Sequence, residues 1–135
     1  MTTWISTHGV GAILDPSTLF SPSINQGSMT IRPTNPNILT GWIHYTIPSP
    51  PPNNLDFKKV RVDFSTQSAT VDAVEVYLSN AQKFKQDGLQ QGQSFELPIA
   101  AGQATYGGKG ITVSIKVKFE AVGSHLEFQS VAIQV

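Results

Sequence analysis

The chain of 135 residues is expected to be all-β: a two-layer antiparallel β-sandwich, jelly-roll-like, of about eight short strands. Three observations predict this. Several segments alternate apolar and polar residues with period two. Gly- and Pro-rich turns separate them. No helical period of useful length and no internal repeat is visible. The length is close to the commonest size for one domain, so residues 1–135 are expected to form a single one.

The clearest strand runs from Gly110 to Phe119. Ile111, Val113, Ile115, Val117 and Phe119 share one face; Thr112, Ser114, Lys116 and Lys118 take the other. Phe57 to Phe64 repeats the pattern, with Val60, Val62 and Phe64 opposite Lys59, Arg61 and Asp63. Val74, Val76 and Leu78 alternate with Glu75, Tyr77 and Ser79. The polar link Ser65–Ser68 between these two runs predicts neighbouring antiparallel strands. In Trp42 to Ile47, Ile43, Tyr45 and Ile47 fall on one face and Trp42, His44 and Thr46 on the other. Pro48 ends this strand because it has no N–H to offer a ladder. Pro48 to Pro52 then reads as a stiff polyproline loop.

Weaker candidates are Trp4 to Thr7, Met29 to Arg32, Lys83 to Lys85 and Phe95 to Ile99. Pro98 places the last at a sheet edge. Asp15 to Gly27, with Pro16, Pro22 and several serines, reads as a long loop with one helical turn near Ser17 to Phe20. The final segment shifts phase: Leu126 and Phe128 alternate with Glu127 and Gln129, then Val131, Ile133 and Val135 take over one residue out of step. A β-bulge near Ser130 would return both sets to one face. The apolar end must be covered, by its own sheet or by a neighbouring subunit.

Charged residues make up 13% of the chain, and nine Lys plus Arg balance nine Asp plus Glu. That is about half the usual charged share. A neutral surface gives no electrostatic attraction to nucleic acid or anionic lipid, so neither is an expected partner. It suits self-association or a neutral glycan. There is no cysteine, which removes disulfides, thiolate catalysis and Cys-based zinc sites. The N-terminus lacks a basic region followed by an apolar run, and no apolar stretch approaches the roughly 20 residues of a membrane helix. Cytoplasmic placement is the default expectation.

The chemistry-bearing residues form no catalytic motif. His8, His44 and His125 have no metal-ligand spacing, so no metal and no cofactor is expected. There is no G-x-S-x-G elbow. Asp63, Asp72, Glu75, Asp87, Glu96, Glu120 and Glu127 mostly alternate with apolar residues and read as solvated. Gly102 to Gly110 faintly suggests a phosphate loop, but the Walker spacing fails and a strand follows where a helix is needed; a flexible connection is the plainer reading.

Aromatic placement is more suggestive. Trp4, Trp42, Tyr77 and Tyr106 lie near strand ends or on polar faces. An exposed aromatic among Asn, Gln and Asp can stack on a sugar while polar groups hold its hydroxyls. The competing and favoured reading makes Trp42 and Trp4 core residues of a second layer. If His44 shares a face with Trp42, the pair lines a groove or a subunit interface.

The stretch Trp42-Ile43-His44-Tyr45-Thr46-Ile47-Pro48-Ser49-Pro50 resembles a W-x-H-x-x-I-P-[TS]-P signature of small bacterial β-sandwich domains of uncharacterised function. Asp87-Gly88-Leu89, Gly110 to Ile115, Leu126-Glu127-Phe128 and the opening Trp4-Ile5-Ser6-Thr7-His8-Gly9 extend the likeness. The chain departs from that pattern by ending at Val135 without a glycine-acidic-aromatic tail. The resemblance implies a compact sandwich and no reaction, and draws attention to His8, Trp42 and His44.

The leading expectation is therefore a non-catalytic interaction or self-assembly module, partnered with itself as a homo-oligomer. The alternative is a small carbohydrate-binding, lectin-like module, and a hydrolase on a sandwich scaffold comes third. The ligand or interface candidates are Trp42, His44, Trp4, His8 and Tyr106.

Overall fold

A computed structural model describes residues 2–135. Eleven strands build it: β1 (Trp4–His8), β2 (Ile13–Leu14), β3 (Ser21–Asn25), β4 (Ser28–Arg32), β5 (Thr40–Ile47), β6 (Lys59–Gln67), β7 (Ala69–Leu78), β8 (Ala81–Gln86), β9 (Phe95–Pro98), β10 (Ile111–Phe119) and β11 (His125–Gln134). They form two antiparallel sheets. The first has the order β3-β4-β11-β6-β9, with β1 also paired to β11; the second has the order β2-β5-β10-β7-β8. The expected two-layer sandwich is thus observed.

The alternation works as read. Ile111, Val113, Ile115, Val117 and Phe119 are at most 3% exposed, and Val60, Val62 and Phe64 join them in the core between the sheets. Tyr45 and Ile43 are fully buried on the inner face of β5. Phe64 and Phe128 approach at 5.8 Å between ring centroids, and Phe20 meets Phe119 edge-on at 5.2 Å. Aromatic pairs in these geometries contribute about 0.5–1.5 kcal/mol beyond their burial.

The closing strand carries the expected bulge. Phe128 faces Phe64 and Ser130 faces Asp63, which leaves Gln129 as the extra residue. Leu126, Phe128, Val131 and Ile133 are consequently all 0% exposed. Val135 is covered within the chain: it exchanges backbone hydrogen bonds with Thr3 in both directions, at 2.8 and 2.9 Å.

Two expectations are corrected. β6 and β7 are not neighbours in one sheet. The chain turns at Ser68, which takes a left-handed φ of 56°, and β7 enters the opposite sheet. The Thr66 hydroxyl donates to the Ala69 carbonyl at 2.8 Å and holds this corner. Such a connection has the same local pattern as a hairpin, since both strands present one apolar face to the core. Asp15 to Gly27, in turn, is not all loop. β3 occupies its second half and pairs with β4 through a two-residue turn in which Gln26 and Gly27 both have positive φ, 48° and 87°. Every β3 residue is exposed, so no alternation marks it. A turn does form at Pro16–Thr18, where Asp15 accepts from the Ser17 backbone N–H at 3.2 Å.

Candidate functional site

The outer face of the five-stranded sheet carries the richest chemistry. Because side chains alternate, Thr40, Trp42, His44 and Thr46 of β5 point away from the core. The pairing register sets them in rows across the sheet. Trp42 lies beside Lys116, and Lys116 beside Ala73. His44 lies beside Ser114, then Glu75, then Lys85. Thr46 lies beside Thr112, then Tyr77, then Gln82.

Polar contacts tie these rows together. His44 Nδ1 is 2.8 Å from Ser114 Oγ. Tyr77 donates its hydroxyl to Glu75 Oε1 at 2.9 Å and accepts from Gln82 Nε2 at 3.3 Å. Lys85 Nζ sits 3.7 Å from both Glu75 Oε2 and Asp87 Oδ2. Glu75 is only 8% exposed, so this acid is no ordinary solvated carboxylate. Its paired, hydrogen-bonded state is what makes the burial tolerable.

A groove of about 360 Å³ opens along this face, lined by Trp42, Asp72, Ala73, Lys85, Asp87, Gly88, Gln90 and Lys116. Three local features shape it. Ala73, 2% exposed, leaves low relief between Lys116 and the β8 edge. A register shift in β7 pairs Lys116 with Ala73 and Val117 with Val71, so Asp72 is an inserted residue. With Val71 and Val74 both buried, the bulge turns Asp72 into the groove, a common use of bulges. Asp72 Oδ1 accepts from the Thr70 hydroxyl at 2.6 Å. The segment after β8 folds back as a wall: Leu89 N donates to Asp72 O, and Gln91 exchanges both backbone hydrogen bonds with Val71, all at 2.9 Å.

On the inner face of β5, opposite Trp42, Gly41 lets the segment before β3 close over the core. A Cβ there would collide with Thr18 Cγ2 and come within 2.9 Å of the Phe20 ring. At the start of that segment the Asp15 carboxyl is held below the usual carboxylate range. The Ser17 backbone N–H is the largest cause, then the Ser17 hydroxyl, with the charge of His44 a smaller contribution.

Trp42 and His44 therefore share one face, and Trp42 of the two lines the groove. The other three candidates lie elsewhere. Trp4 is on the outer face of the six-stranded sheet, with the Arg61 guanidinium 4.2 Å above its ring. Arg61 Nε in turn lies 3.2 Å from Asp63 Oδ2, which accepts from Ser130 at 2.8 Å. His8 caps the 3-10 turn Gly9–Gly11, its Nδ1 accepting from Val10 N at 3.4 Å. Tyr106 packs against the core, with its hydroxyl 3.0 Å from Ser49 Oγ beside the polyproline loop. Both tryptophans are partly exposed on outer faces, which corrects the expectation that they belong to the core. Asp72, Lys85, Gln90 and Lys116 were not expected at a site. The bulge that turns Asp72 outward shows in the sequence only as the odd spacing between the buried Val71 and Val74.

No cluster of three or more His, Asp or Glu that could hold a metal ion occurs among the described residues. No protein-family model matches the chain. No curated protein matches it. The fold is shared with solved structures. CBM86, a low-affinity xylan-binding module from Roseburia intestinalis, aligns over 97% of this chain and 94% of its own, with a TM-score of 0.59 at 11% identity. A cyclase from Fischerella sp. TAU aligns over 97% and 89%, with a TM-score of 0.58 at 11% identity. A family 29 carbohydrate-binding module aligns over 99% and 89%, with a TM-score of 0.53 at 10% identity. At such identities the likeness is one of fold.

Proposed function

We propose that this protein is a non-catalytic carbohydrate-binding module, and that a neutral glycan chain lies on the outer face of the five-stranded sheet at the Trp42 groove. The observation that carries the reading is the groove's composition. A partly exposed indole stands beside Asp72, Asp87, Lys85, Lys116 and Gln90. Two acids and two bases cancel, so the site exerts no net pull on a charged ligand. Each of these groups can still donate to or accept from a sugar hydroxyl, while the indole covers the sugar's C–H face. Tyr77 adds a second aromatic on the same face. Two strands across and four residues along from Trp42, it lies roughly 17 Å away by standard sheet spacings, enough for several sugar units.

The fold neighbours support a glycan as the ligand, since two of them are described as carbohydrate-binding modules, one of them for xylan. The cyclase shows that the same scaffold also carries other functions. Here the His44–Ser114 pair argues against hydrolysis. Ser114 is 3% exposed on β10, and β10 is bonded on both sides, to β5 and β7. Its backbone N–H groups are committed to those ladders and cannot form an oxyanion hole. The self-assembly reading loses one of its supports, because the apolar C-terminal strand is covered by β1, β6 and β4 of the same chain.

The test is affinity electrophoresis and calorimetry against soluble xylan, glucomannan and cello-oligosaccharides, with Trp42→Ala as the variant. Binding to at least one of these, weakened about tenfold or more by Trp42→Ala, is expected; truncating an aromatic anchor commonly costs 2 kcal/mol or more. Absence of binding to every glycan, or binding indifferent to Trp42→Ala, would overturn the assignment.

A further inference from the structure

We propose a second ligand site, for an oxyanion, at the end of the sandwich where the Gly102–Gly110 loop meets the β7–β8 turn. A pocket of about 180 Å³ is lined there by Leu78, Ser79, Lys83, Thr105, Gly107 and Lys109. It contains two lysines and no acid. By contrast, the Trp42 groove and the grooves at Glu120, at Asp56 and at Glu96 each carry at least as many acidic as basic residues along the wall. On a chain whose charges otherwise cancel, this is a local concentration of positive charge.

The fold builds the pocket from both sides. Along β8, Phe84 faces Val76 and Gln82 faces Tyr77, so Lys83 is an inserted residue. The bulge frees Lys83 from the row of Gln82 and Lys85 and brings it to the loop. Lys109 is brought in because the loop is tied at both ends. Ser79, at a left-handed φ of 58°, donates its backbone N–H to Gly110 O at 3.0 Å. Tyr106 N donates to Leu55 O at 2.8 Å, and the Thr105 hydroxyl to Asp56 Oδ1 at 3.1 Å. Asp56 also accepts from Gly102 N, at 3.2 Å to each carboxylate oxygen, so both of its oxygens are engaged by the loop.

Between these ties, the N–H groups of Gly107, Gly108 and Lys109 donate to no other group among the described residues. Gly108 has a φ of 92°, open to glycine and strained for other residues. Successive free N–H groups around a left-handed residue form the concave donor sets that bind anions. Lys83 and Lys109 form no ion pair within 4.0 Å among the described residues. Two ammonium groups and up to three backbone donors fit a carboxylate, sulfate or phosphate group. The source is either an acidic substituent on a bound glycan or a free anion. The site stands apart from the Trp42 groove and does not depend on it.

The experiment is an amide-resolved NMR titration of the full ¹⁵N-labelled chain with sulfate, glucuronate and, as the neutral control, xylose. Saturable shifts at Gly107, Gly108 and Lys109 are expected with sulfate or glucuronate and not with xylose. Lys83→Ala and Lys109→Ala should each weaken the response about tenfold, as for loss of one charge-assisted hydrogen bond. About 1 M sodium chloride, where the Debye length is about 3 Å, should suppress it. Both lysines are exposed, so these variants should keep the wild-type spectrum elsewhere. Saturation by glucuronate assigns the source to an acidic sugar; saturation by sulfate alone assigns it to a tetrahedral anion. Trp42→Ala should leave the sulfate response intact, which separates this site from the glycan groove. Shifts that never saturate, or that persist in the double lysine variant, would refute the proposal.

Discussion

His44 and Ser114 face each other across β5 and β10, with Nδ1 2.8 Å from Oγ, and Ser114 is 3% exposed. The pair satisfies a hydroxyl that water hardly reaches. His44→Ala is expected to cost about 1–3 kcal/mol, because it leaves that hydroxyl without its partner. In the Ser114→Ala background the same change should cost clearly less. A double-mutant cycle by urea denaturation checks this; additivity of the two losses would refute the coupling.

Gly9 is buried where the 3-10 turn crosses β11. A Cβ at this position would collide with the Phe128 carbonyl oxygen. Backbone on backbone cannot yield as a flexible side chain can. Gly9→Ala should therefore destabilise the protein by more than about 2 kcal/mol, read as a fall in the thermal midpoint. The control Gly92→Ala, where nothing lies within 4 Å, should cost less than about 1 kcal/mol.

Tyr45 is 0% exposed and donates its hydroxyl to Gly9 O at 3.1 Å. Burial pushes its phenol well above the ordinary value near 10. The folded state thus favours the protonated ring. The stability linked to it is complete below about pH 10 and is lost as pH rises from there toward the folded value. Tyr45→Phe should lose about 1 kcal/mol at neutral pH but show a shallower decline above about pH 10. Denaturation curves from neutral to strongly alkaline pH measure both effects. Equal alkaline slopes in the two proteins would contradict the assignment.

Gln129 tests the bulge in β11. Its side chain is exposed, so Gln129→Ala should shift stability by less than about 0.5 kcal/mol. Deleting it would force a choice between Leu126 with Phe128 and Val131 with Ile133, since a one-residue slip reverses the faces. The deletion is expected to abolish cooperative unfolding in calorimetry. A folded deletion variant with native near-UV circular dichroism would refute this account.

The strands with one dry side were legible because burial of a single sheet face writes itself into the sequence as a period of two. β10, the first half of β6, the second half of β7 and the two halves of β11 all follow it. The phase break before Val131 even located the bulge, because apolar residues on both sides of it had to reach one core. β3 was hidden for the opposite reason: an edge strand exposed throughout buries nothing and needs no alternation. The bulge at Asp72 leaves the same kind of break as the one before Val131, with Val71 and Val74 both buried at an odd spacing, whereas the one at Lys83 was hidden, because Phe84 is the only large apolar residue of β8.

By itself, the sequence determined that this chain is an all-β sandwich, which side of β10, of the first half of β6, of the second half of β7 and of both halves of β11 is dry, and that Trp42 and His44 point the same way. Local alternation suffices for that, because it depends only on residues two apart. The tertiary structure alone decided that β6 and β7 belong to opposite sheets, that Trp4 is occupied by Arg61, and that Asp72, Lys85 and Lys116 gather around Trp42. Those relationships depend on strand order, register and single-residue insertions. Strand order and register do not change which face of a strand is apolar, and an insertion marks only where the faces exchange, not which residues gather across the sheet.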